Sequence, residues 1–222
     1  MDNSRITKFS KIIIWCVVVA SFLHLIFNLL LANLTTTYFE SEAITEDTFY
    51  YIGGLLDSGL FIVLLLYLFL MLVSYVLLSK WFYTSCKLNH LNGVKGLETS
   101  PRWAWAWYLI PIANLVKPYQ SLEETYKASF QKEAWEEIHA PWVFPIWWMS
   151  FLASNIIYNF SANLSDTLTE DSWYENYVTF YYTVLVGDLI YIVSALALLQ
   201  IVKTVSKNQS KLNFEINYTR TK

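Results

Sequence analysis

Four long apolar runs separated by polar stretches dominate the chain. The first, IIIWCVVVASFLHLIFNLLLA, follows Lys11. At 1.5 Å per helical residue it is long enough to cross a hydrocarbon core of roughly 30 Å. The same reasoning places membrane-spanning helices at about 12–34, 51–79, 142–160 and 177–202. In the second span Gly54 and Ser58 stand one turn apart, a small-xxx-small pattern that invites close approach by another helix. Pro141 and Pro145 open the third, where a missing amide hydrogen is tolerated. The first run exceeds the roughly 7–15 apolar residues of a secretory signal, so an uncleaved anchor is expected.

The stretch between the second and third runs breaks this pattern. PRWAWAWYLIPIANLVKPYQ (101–120) carries Trp103, Trp105 and Trp107 ahead of an apolar core cut by Pro111 and closed by Lys117 and Pro118. That composition suits a membrane-interface or re-entrant element. Asn114 is expected to lend its amide to backbone groups freed near Pro111. A surface helix over about 119–139 follows, with Leu122, Tyr126, Phe130 and Trp135 near one face and Glu123 and Lys127 paired at i,i+4.

Composition agrees with an all-α integral membrane protein forming a single domain, 1–222. The 222 residues are 55% hydrophobic and 18% aromatic, too apolar for one soluble core. Charge placement adds orientation. All 15 Lys and Arg fall in the blocks 5–11, 80–132 and 203–222, whereas the two intervening loops carry acids only. By the positive-inside rule both termini are cytoplasmic and the basic blocks face the inner surface. The tryptophans near that boundary, including Trp142, Trp147 and Trp148, read as an aromatic belt.

The central stretch also carries a resemblance. TSPRWAWAWYLIPIANLVKPYQ, followed by Glu124, Tyr126, Lys127 and Ser129 and then IWWMSFLASN, closely resembles the bacterial membrane family named domain of unknown function 4328. The likeness covers roughly Trp81 to Asn155. Ser100, Pro101, Trp103, Trp107, Pro111, Asn114, Lys117, Pro118 and Gln120 all fall on its pattern. The chain departs from it at Leu88, where the family has an asparagine that here stands one residue later as Asn89, and at Arg102, where the family has glycine. The resemblance implies a bacterial plasma-membrane location and a fold, but no activity.

Candidate chemistry is sparse. Cys16 and Cys86 suggest neither a disulfide nor a metal site. His90 and His139 lack HExxH spacing, and no Walker, GxGxxG or GxSxG motif is present, so no cofactor is expected. The inner cations are interleaved with acids and suit anionic lipid headgroups better than nucleic acid. What remains is a set of polar residues inside the spans: His24 and Asn28, Asp57, Asn155 and Asn159, and Asp188. Such groups are costly in lipid and turn inward to pair. Asp188 is therefore expected to meet His24 or Asn155.

Three function classes fit this set. A structural or partner-binding membrane protein, meeting the bilayer and either another protein or a second copy, comes first. A small transporter or proton-conducting protein using the His/Asp/Asn cluster comes second. An intramembrane hydrolase, with Asp57 and Asp188 as a dyad, comes last, because Asp188 follows LVG rather than the GxG of GxGD.

Overall fold

A computed structural model describes residues 3–41, 43–107, 110, 112–165 and 173–220, and the side chains of these apart from 3, 105, 165, 173–175 and 213–220. Every regular element among them is helical: α1 Asn3–Ser41, α2 Glu46–Leu91, α3 Pro101–Ala106, α4 Lys117–Lys127, α5 Val143–Ser165 and α6 Trp173–Arg220, with 3-10 turns at Ala113–Leu115 and Trp135–Glu137. Among the described residues three stretches are long and apolar enough to cross a membrane: Ser4–Ser41, Glu46–Leu91 and Asn176–Leu212. α5 has 23 residues, enough in length, but Asn155, Asn159 and Asn163 dilute its apolar character.

The helices overrun the expected spans. α2 continues twelve residues past Ser79 to Leu91, and α6 starts before 177 and continues past 202 to Arg220. An apolar run marks where lipid would be met; it does not mark where a helix stops. Stopping needs a breaker, and α2 has none until Gly93, whose φ of 78° lets Val94 N–H return to Asn89 O at 3.2 Å. At its other end Thr45 caps α2 through Oγ1 to the Thr48 N–H (3.3 Å), with Glu46 and Asp47 in the first turn.

The surface helix is shorter than expected: α4 ends at Lys127, not near 139. Ala134 takes a left-handed conformation (φ 51°), and the chain turns so that Trp135 packs with Val94 and Ala128 and donates its indole N–H to Lys95 O at 2.8 Å. Within α4 the Lys127–Glu123 pair forms at 2.7 Å, and Leu122 and Tyr126 are buried.

The chain divides into two compact units. Unit 1 comprises Met1–Trp15, Leu72–Trp148 and Leu196–Lys222. Its centre is polar yet neutral. Gln209 donates through Nε2 to Ser85 O (2.7 Å) and Asn89 Oδ1 (2.8 Å), and Asn89 donates through Nδ2 to Thr125 O (2.9 Å). Trp81 donates to Ser206 Oγ at 3.2 Å. Aromatic packing of Tyr126 and Tyr119 against Phe144 closes another side. Burial pushes the Tyr126 hydroxyl pKa up, and burial with the nearby Glu123 carboxylate does the same for Tyr119, so both stay neutral.

Unit 2 comprises Cys16–Met71 and Met149–Ala195. Leu31, Ala32 and Tyr181 form a core packed by Leu56, Leu60, Tyr177 and Phe180. Close approach occurs at Gly59, where an added Cβ would lie 2.3 Å from Phe27 Cε1. The expected Gly54/Ser58 pair does not serve this purpose. Nothing lies within 4 Å of a Cβ built at Gly54, and the exposed Ser58 hydroxyl bonds back to Gly54 O at 2.7 Å. The small-residue pattern was legible, but the face that packs is the one carrying Gly59.

Candidate functional site: the Asp188 network

The polar set expected within the spans separates into residues that turn inward and residues that turn out. Asp188 is 2% exposed and sits in α6 within unit 2. His24 of α1 places Nδ1 at 2.8 Å from Asp188 Oδ2 and 3.0 Å from Oδ1. Tyr158 of α5 donates its hydroxyl to Oδ1 at 2.7 Å. Both carboxylate oxygens are therefore engaged, by donors from two other helices, as a buried carboxylate requires.

Local sequence explains how these groups meet. Asn28, one turn from His24, donates Nδ2 to His24 O at 2.8 Å and fixes that turn. Gly187 clears room for the acceptor's partner: a Cβ there would fall 2.9 Å from Tyr158 Cε1. Behind the pair, Tyr67 of α2 stacks on the His24 ring (centroids 6.4 Å apart). Tyr67 meets Tyr191 edge to face (centroids 6.0 Å apart), and Tyr191 donates to Met71 Sδ at 3.1 Å. Four helices thus contribute to one polar string.

Of the expected partners of Asp188, His24 is present and Asn155 is absent. Asn155 and Asn159 are exposed, and each returns Nδ2 to the carbonyl four residues back, Phe151 O at 2.7 Å and Asn155 O at 2.8 Å. α5 reaches Asp188 with Tyr158 instead, three residues on from Asn155 and one ridge over. Asp57 is also exposed, near enough to Tyr181 to act on its hydroxyl electrostatically, and Asp188 is occupied by His24 and Tyr158. No hydrogen bond joins the two aspartates.

The motif residues of 101–120 lie in unit 1. Ser100 O accepts the Trp103 and Ala104 N–H groups at 3.0 and 3.1 Å, starting α3 at Pro101. Thr99 just before it is pinned by Glu124, which accepts its N–H at 3.1 Å and its hydroxyl at 2.7 Å. Trp103 stacks on Trp107 (4.7 Å), and Lys117 Nζ lies 5.8 Å from the Trp107 ring, so the ends of the stretch are neighbours. Pro118 is buried in α4 and Gln120 is exposed. Asn114 closes a turn through its backbone N–H to Ile110 O (2.7 Å), but its buried side-chain Oδ1 has no partner. The backbone groups near Pro111 that its amide is expected to meet lie outside the described residues, as does Pro111 itself.

A family model described as domain of unknown function (DUF4328) matches residues 54–207. It extends the resemblance in both directions and includes Tyr67, Tyr158, Asp188 and Tyr191, with His24 and Asn28 outside it. No curated protein and no solved structure matches the chain.

Proposed function

From the premise that the chain belongs to the DUF4328 family, whose description names no activity, we propose that it is a four-span structural or partner-binding component of the bacterial plasma membrane. α1, α2, α5 and α6 are the spans, and both termini are cytoplasmic. The basic blocks carry the inner-face charge, and the bent 101–120 stretch lies in the inner interface. Supporting that placement, Ile112 is 85% exposed, Trp142 is 83% exposed, and Leu115 and Val116 are exposed next to Lys117 in the chain.

One observation carries the reading: Asp188 is enclosed and saturated, with donors from α1 and α5 on both oxygens. A carboxylate that carries protons must exchange with water, whereas one closed on both oxygens ties three helices into one arrangement. A proton-handling role is the second reading, favoured by the part-exposed His24 ring and the Tyr67–Tyr191 ring pair behind it. Proton flux into liposomes containing the purified protein separates the two. The structural reading expects flux no greater than in empty liposomes, and flux abolished by Asp188→Asn would overturn it. Orientation is checked by impermeant thiol labelling in intact cells: Thr45→Cys should react, and Ser100→Cys and Lys207→Cys should not.

A further inference from the structure

We propose that the exposed face of α5 is the interface for a second copy of this chain, packed as a parallel pair of helices about a two-fold axis along the membrane normal. The inference rests on the reading of α5 as a span. Met149, Leu152, Ile156, Asn159 and Asn163 fall at alternating spacings of three and four, the seam of a left-handed helix pair. Met149 is 63% and Ile156 is 70% exposed, Asn159 and Asn163 are exposed, and Leu152 is half-buried. Asn155 flanks the seam.

The asparagines decide what the occupant is. Asn155, Asn159 and Asn163 each return one N–H to the carbonyl four residues back, at 2.7, 2.8 and 2.8 Å. For Asn155 and Asn159 that leaves the second N–H and Oδ1 on the exposed face, where lipid offers no partner. No charged residue occurs in α5, so nothing calls for a partner of opposite sign. Two copies in one bilayer share an orientation, and a two-fold axis along the normal sets each residue against itself at the same depth. Few side chains pair with their own image; a carboxamide, both donor and acceptor, does. A single asparagine in such a seam already fixes register in parallel helix pairs.

The test is disulfide formation in native membranes, with the full chain carrying Cys16→Ser and one introduced cysteine. Ile156→Cys should give a cross-linked dimer, and Leu65→Cys, on an exposed face of α2, should not. Adding Asn155→Leu and Asn159→Leu should weaken dimerisation about tenfold. Asn155→Gln with Asn159→Gln should largely restore it. Equal cross-linking at Leu65, no cross-linking at Ile156, or indifference to the leucines would each overturn the proposal, as would purification with another protein at α5 and no second copy. If the leucine variant fails to fold, the comparison of Ile156 with Leu65 in the unsubstituted seam still decides. Cysteines at Trp142 and Ala162, labelled from opposite sides of the membrane, report separately whether α5 spans.

Discussion

The two compact units handle polarity in opposite ways. Unit 1 holds all 15 Lys and Arg against 8 acids, a balance of +7; unit 2 holds no Lys or Arg and 10 acids, a balance of −10; together they give the chain's −3. The charged unit is nevertheless neutral at its centre, where Gln209, Asn89 and Ser85 exchange amide and carbonyl bonds. The unit without cations buries a carboxyl, Asp188. Solvated charge on a surface is inexpensive, so unit 1 carries much of it and keeps its interior to groups that need no counter-ion. With no Lys or Arg of its own, unit 2 meets its buried acid with His24 and Tyr158.

The largest effect is expected where the buried acid loses its chemistry. Asp188→Leu takes from His24 and Tyr158 the carboxyl they share and should cost about 3–5 kcal/mol, seen as a lowered thermal midpoint in detergent. Asp188→Asn keeps one acceptor and gains donors that His24 Nδ1 and the Tyr158 oxygen accept once they reorient, so most stability should survive. An equal loss in both variants would show that charge, not bonding, holds the network.

In unit 1 the corresponding substitution, Gln209→Leu, removes two bonds and leaves Ser85 O and Asn89 Oδ1 without that donor. A loss of roughly 1–3 kcal/mol is expected. Amide exchange should quicken around Ser85 to Asn89, and not around His24. Spread of the effect into unit 2 would break the contrast between the units. Smaller again is Gly187→Ala, whose Cβ would press on the Tyr158 ring at 2.9 Å; about 1–2 kcal/mol should be lost. In a Tyr158→Phe background the added cost should shrink, because that ring is no longer held at Asp188.

How much of this was legible depended on which physical rule each residue obeyed. Apolar runs and cation placement made the helical membrane class readable, and depth alone made the pairing of Asp188 with His24 or Asn155 an expectation. Tyr158 was hidden because a tyrosine near an interface is unremarkable, and its selection over Asn155 is a matter of helix rotation that sequence spacing leaves open. Gly187 beside Asp188 was the one local signal that a ring had to fit there. Asn89 and Gln209 were hidden for another reason. Apolar runs end well before them, so the polar continuations of α2 and α6 looked like solvated flanks although the structure buries both residues. Helix ends are set by breakers such as Gly93, and burial there is decided by partners distant in sequence.

The smallest effect is expected at Asn114. If its amide satisfied backbone groups near Pro111, Asn114→Leu would be costly. In the structure the work at this turn is done by its backbone N–H on Ile110 O, which any non-proline residue supplies, while Oδ1 is buried without a partner. Leucine is close in size and removes an unmet acceptor, a change that is nearly neutral or mildly favourable. A thermal midpoint unchanged or slightly raised, in detergent and in bilayers alike, is the expected outcome. A loss above about 1 kcal/mol would mean that the amide is engaged in the folded protein in the bilayer. Neutrality would instead separate this motif residue from Thr99 and Glu124, whose mutual bonds do hold the start of the same stretch in place.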